Sequence, residues 1–220
     1  SKENNSADLT VGVNIDPVLE CDNTFTNTTG SGDRPIGYFN SQVNLTGGEY
    51  SQLVFCNANG SDVRGVTVNG SDTKFNNYLA VLFTDSANFA HIISSNNSVG
   101  MYLGDSSRNV INDLEAVSNS TVGAMFGNHS SGNSITNSLL ENNFAGINPI
   151  NSSNNLTASN NVITNNVVGF MEGDSTNGHL VFNNDFISNT TQAVIGPTVA
   201  SAFNEALPVG GNYWSDFDTS

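Results

Sequence analysis

The chain has 220 residues, 20 of them acidic against five basic, and a formal charge of −15. The five cations, Lys2, Arg34, Arg64, Lys74 and Arg108, are scattered singly, which excludes nucleic-acid and anionic-membrane partners because both need a basic patch. No apolar run approaches the roughly 18 residues of a spanning helix, so membrane insertion is not expected.

The chain opens at Ser1 with no signal peptide, which fits a processed, secreted protein. Residues 1–8 are polar and read as a flexible N-terminal arm. From 9 to 85 the pattern is irregular, with strand-like runs at 9–15, 52–56 and 63–68 joined by long connections such as 23–35. Cys21 and Cys56 are the two cysteines, and their spacing matches no zinc or redox motif. A disulfide between them would stabilise by roughly 3 kcal/mol. A cross-link to neighbouring subunits and a pair of buried free thiols are the alternatives.

A regular repeat runs from 86 to 195. Gly100, Gly123, Gly146 and Gly169 recur at one constant step, and Asn96, Asn119, Asn142 and Asn165 share a second column with the same step. Asn97, Ser120, Asn143, Asn166 and Asn189 fill the column beside it, and Asn137, Asn160 and Asn183 another. Repeats of this length are stacked supersecondary units that bury a continuous core. The apolar runs are two to four residues long, β-branched or aromatic, and broken by Asn-Asn or Gly, so no amphipathic helix fits. The chain is therefore expected to be all-β, a parallel β-helix (solenoid) with about 23 residues per turn. Turns stacked roughly 4.8 Å apart would let identical amides bond along the Asn96–Asn165 column. The glycines mark bends that need positive φ or close backbone approach.

Residues 196–220 leave the period and read as a capping segment. Within them Gly210-Gly-Asn-Tyr-Trp-Ser-Asp-Phe217 resembles the closing motif of the NosD-type β-helix group, in which a GNYWSDY-like segment follows Asn-rich turns. Residues 134–147 are similar to those turns, and the resemblance covers about 63–217. It implies a right-handed parallel β-helix of the kind frequent in secreted and cell-surface proteins of archaea, and it fixes no single activity. Tyr213 and Trp214 are expected to cover exposed core at the last turn.

No catalytic constellation emerges. A lyase needs a base with cations or a metal beside it, and a glycosidase needs two carboxylates roughly 5–10 Å apart. Asp113 and Glu115, two apart on one strand, read as a solvated rim. His91, His129 and His179 fall in different columns, so no metal and no cofactor is expected, and the copper role in the NosD name finds no His, Met or Cys cluster. Eleven Asn-x-Ser/Thr sequons occur, of which Asn27, Asn59, Asn69, Asn128 and Asn151 look exposed enough for glycosylation. The expectation is a secreted structural protein of an archaeal cell surface (a surface layer, sheath or extracellular fibre) whose partner is itself, with cell-surface glycans as possible further partners. A carbohydrate-binding or carbohydrate-cleaving β-helix module is the alternative.

Overall fold

Short β-branched and aromatic runs separated by bends point in different directions within one turn, and each pairs in parallel with the equivalent run of the neighbouring turn. The chain therefore coils into a parallel β-helix. The computed structural model describes residues 8–9, 20–71, 74–196 and 200–217. The expected strand at 9–15 and the arm at 1–8 thus lie outside the described residues, except for Leu9 and Asp8. Asp8 is held in place: its Oδ2 accepts the Ser31 N–H at 2.6 Å and an Asn77 Nδ2 proton at 2.7 Å.

One sheet stacks eight parallel strands: Ile36–Phe39, Gln52–Cys56, Tyr78–Leu82, Val99–Gly104, Val122–Gly127, Ala145–Pro149, Val168–Met171 and Thr191–Val194. From Met101 on, its register partners advance by the constant step of the glycine column, running Met101, Ala124, Ile147, Phe170 and Ala193. Earlier rungs are uneven, with Ile36 opposite Gln52 and Leu53 opposite Leu79. The second sheet bends in mid-strand. Asn88–Ser95 and Val110–Val117 are continuous across the bend, whereas later turns divide into pairs such as Ser134–Thr136 with Leu139–Glu141 and Thr157–Ser159 with Val162–Thr164. Between the sheets lies one core. Leu53, Leu79, Met101, Ile147 and Phe170 enter from the first sheet, and Phe89, Ile111, Ile135, Leu140, Ile163 and Phe186 from the second, all with no exposure. Each such side chain contributes about 1.5–3 kcal/mol of hydrophobic stabilisation.

Corners are the difficulty of such a coil, because a buried N–H at a bend loses its strand partner. The chain answers with a two-residue device. The first residue takes a left-handed conformation, as at Asn137, Asn160 and Asn183 (φ 53, 57 and 53) and at Asn142 and Asn165 (φ 55 and 56), where Asn is among the tolerated residues. The second turns its polar side chain inward. Asn143 Oδ1 accepts the Asn119 N–H at 3.0 Å, Asn166 Oδ1 that of Asn143 at 2.9 Å, and Asn189 Oδ1 that of Asn166 at 3.0 Å. Each amide nitrogen then donates to a strand carbonyl of the preceding turn: Asn143 to Ala116, Asn166 to Leu140, Asn189 to Ile163. A second column, Ser138, Asn161, Asn184 and Asn212, receives corner N–H groups in the same way. At the third corner hydroxyls take over, with Ser106, Ser130 and Ser153 Oγ accepting the N–H of Thr84, Ser106 and Ser130.

The expected ladder of Asn96, Asn119, Asn142 and Asn165 is corrected by this geometry. Only Asn119 of the four belongs to the buried ladder, whose members are Asn97, Asn119, Asn143, Asn166 and Asn189. Asn96, Asn142 and Asn165 are the left-handed residues in front of it, half-buried or exposed. The cause is a compensated slip. In the second sheet Ala116 pairs with Ser94, one position short of the regular step, and with Leu140, one position beyond it. The first sheet keeps the regular step throughout these turns.

Gly100, Gly123, Gly146 and Gly169 do stack, and close approach is the reason; none has positive φ. A Cβ on Gly146 would lie 2.6 Å from the Gly169 carbonyl oxygen and 2.7 Å from Ile163 Cγ2. Gly146→Ala is therefore expected to destabilise by about 1–3 kcal/mol through overpacking. Asn166→Ala would strand the Asn143 N–H and the Leu140 carbonyl, at a cost of about 2–5 kcal/mol. Asn165→Gly, on the exposed left-handed position, should stay within about 1 kcal/mol of the parent. Denaturant midpoints of the three variants check this, and equal losses in Asn166→Ala and Asn165→Gly would contradict it.

Candidate functional sites

The closing motif extends the corner device past the last regular turn. Asn212 Oδ1 accepts the Asn184 N–H at 3.0 Å, and Ser215 Oγ accepts the Ser188 N–H at 2.9 Å, so the corners of Asn184 and of Asn189 close on residues of the motif. Between them Trp214 pairs with Phe186 in register and stacks on it, ring centroids 4.5 Å apart and 13° from parallel. Trp214 thus covers the core as expected. Tyr213 does not: strand alternation turns it outward, 58% exposed.

Cys21 and Cys56 form an intramolecular disulfide with a Cα–Cα distance of 5.3 Å. Both lie with Val54, Ala80 and Leu82 in a small apolar cluster beside the main core. Replacing both by serine should lower stability by about 3 kcal/mol, read as a shift in the denaturant midpoint. No shift would mean that the bridge adds nothing to the coil.

Each histidine has one acidic neighbour. His91 Nδ1 lies 2.5 Å from Asp113 Oδ2 and His129 Nδ1 3.3 Å from Asp105 Oδ1, both pairs exposed. His179 is buried and occupies a corner position otherwise held by Asn109 and Asn133. Its Nδ1 accepts the Leu156 N–H at 3.1 Å, standing in for an asparagine oxygen, so the ring proton sits on Nε2, 3.4 Å from Glu172 Oε1. That oxygen accepts a hydrogen bond from Ser201 Oγ at 2.7 Å, while His179 Nε2 makes none among the described residues. Burial lowers the His179 pKa to about 4 and raises that of Glu172, the latter opposed by hydrogen bonds from Ser201 and Thr176. This cluster was not legible in the sequence, since a histidine replacing an asparagine carries no signal of its own.

The linkage sign follows from those directions. Between pH 6.5 and about 4 the unfolded chain binds a proton at His179 that the native chain refuses, so stability falls as pH falls through that window. Glu172 acts oppositely, its contribution falling as pH rises above the ordinary carboxylate value. His179→Asn should flatten the acid limb in thermal midpoints measured against pH. An unchanged acid limb would assign it to other groups.

Of the glycosylation candidates, Asn27, Asn59 and Asn151 are exposed, while Asn69 and Asn128 are half-buried. The sequons at Asn128 and Asn151 arise from the fold itself. Each has a left-handed outward asparagine (φ 49 and 51) followed two residues later by an inward ladder serine, Ser130 or Ser153.

Coil, inward ladders and aromatic cap define a parallel β-helix closed at its C-terminal end. The chain belongs to the NosD family, described as "periplasmic copper-binding protein (NosD)", whose profile matches residues 13–219. No curated protein matches it. Among solved structures it resembles the periplasmic alginate epimerase AlgG, with TM-score 0.59, 16% identity, and coverage of 73% of this chain and 43% of that one. The T265N mutant of AlgG gives TM-score 0.50, 17% identity, and coverage of 77% and 46%. The chain thus spans less than half the length of these structures, and at such identity the likeness concerns the fold alone.

The residues present do not fit a copper ion. Among the described residues no three His, Cys, Asp or Glu side chains converge. The soft donors are dispersed as well, with both cysteines in the disulfide and Met101 buried in the core. Among the described residues no helix is long and apolar enough to cross a membrane.

Proposed function

We propose that the chain is a structural β-helix module of the extracytoplasmic space that works by self-assembly, as part of a surface layer, sheath or fibre. The observation that carries this reading is the C-terminal segment. It caps the core with Trp214 yet leaves large apolar side chains in solvent: Leu207 at 89% exposure, Phe217 at 74% and Tyr213 at 58%. Exposed apolar side chains concentrated on one short segment fit a contact with another chain. The periplasmic description of the family and the disulfide support an oxidising compartment.

Sedimentation of the native protein over rising concentration tests the proposal. Species larger than the 23.2 kDa chain are expected. A Leu207→Asp, Phe217→Asp double variant should return them to monomer with its fold intact. A 23.2 kDa monomer at every concentration would overturn the proposal.

A further inference from the structure

The bend in the second sheet leaves a groove along the flank of the coil, with a volume of about 530 Å³. One wall is a column of left-handed corner residues, Asp113, Asn137 and Asn160 (φ 59, 53 and 57). The other is the column two residues on, where Glu115, Leu139 and Val162 stand in register. The corner device makes the groove: positions i and i+2 face outward while i+1 turns into the core. At every rung, roughly 4.8 Å apart, an amide or carboxylate therefore faces an aliphatic or acidic side chain across the groove.

The chemistry of these walls selects a ligand. No lysine or arginine lines the groove, and Asp113 and Glu115 carry like charge, so a polyanion such as a polyuronate is repelled. Hydrogen-bonding heads opposite aliphatic surface suit a neutral, hydroxyl-rich chain with apolar faces. An extended peptide would seek an open strand edge, but these walls are strand faces whose backbones pair with neighbouring rungs. We propose that the groove binds an extended, uncharged polysaccharide lying along the coil axis. The wall column Glu115, Leu139, Val162 continues through Asp185 to the exposed Tyr213, but Leu207 and Phe217 do not line the groove, so substitutions there test self-assembly without touching the proposed site.

Calorimetric titration of the whole chain with cello- and chito-oligosaccharide hexamers, and with a uronate hexamer, tests it. Saturable binding of at least one neutral hexamer is expected, and none of the uronate. An Asn137→Gly, Asn160→Gly variant keeps residues that accept the left-handed conformation while removing the amides. It should bind about tenfold or more weakly, the loss of one good hydrogen bond or more, with little change in thermal midpoint. Absence of binding by both neutral hexamers, preference for the uronate, or unchanged affinity in the variant would each overturn the proposal.

Discussion

The coil depends on one interaction: an inward side-chain oxygen that receives the backbone N–H of the corner in the preceding turn. Strand ladders and core burial need no special residues beyond short apolar runs. The corners do, because a parallel coil must bend while its bent backbone stays buried. Asparagine serves best, since one amide both accepts a corner N–H and donates to a strand carbonyl, as Asn166 does for Asn143 and Leu140. Serine hydroxyls accept the N–H in the third column, and Ser106 also reaches back to the Val81 carbonyl. Neutral His179 accepts an N–H at its single position. The unusual richness in asparagine, 37 residues in 220, is thus in large part the composition of the corners.

The same interaction explains what could be read from sequence. The glycine column was legible because close approach at each turn admits only glycine, so identity repeats without drift. The asparagine ladder was less so. Two neighbouring asparagines at each corner have different jobs, one left-handed and outward, one inward, and the short and long steps around Val110–Val117 exchange them. Periodicity alone cannot tell these jobs apart. The hydroxyl column was missed because serine is common throughout the chain, and His179 because only coordinates reveal it in an asparagine's place.

The closing motif gains a physical meaning from the ladders. Asn212 continues the column of Asn161 and Asn184, Ser215 takes the N–H of Ser188 at the corner of Asn189, and Trp214 ends the core column of Leu140, Ile163 and Phe186. The motif is a terminal rung with its polar and apolar positions filled, and this accounts for its N-x-W-S core without invoking a ligand. What remains for function is the outer surface: the groove walls, the exposed sequons and the apolar C-terminal residues. Copper has no place in this account, since the donors present do not converge among the described residues.

Native-state hydrogen exchange followed by NMR tests the central claim most directly. If inward amides hold the corners, the backbone N–H groups of Asn119, Asn143 and Asn166 exchange as slowly as those of the adjoining strands, near the limit set by global unfolding. Exchange of these corner amides at the rate of exposed turns, with the strands still protected, would contradict it.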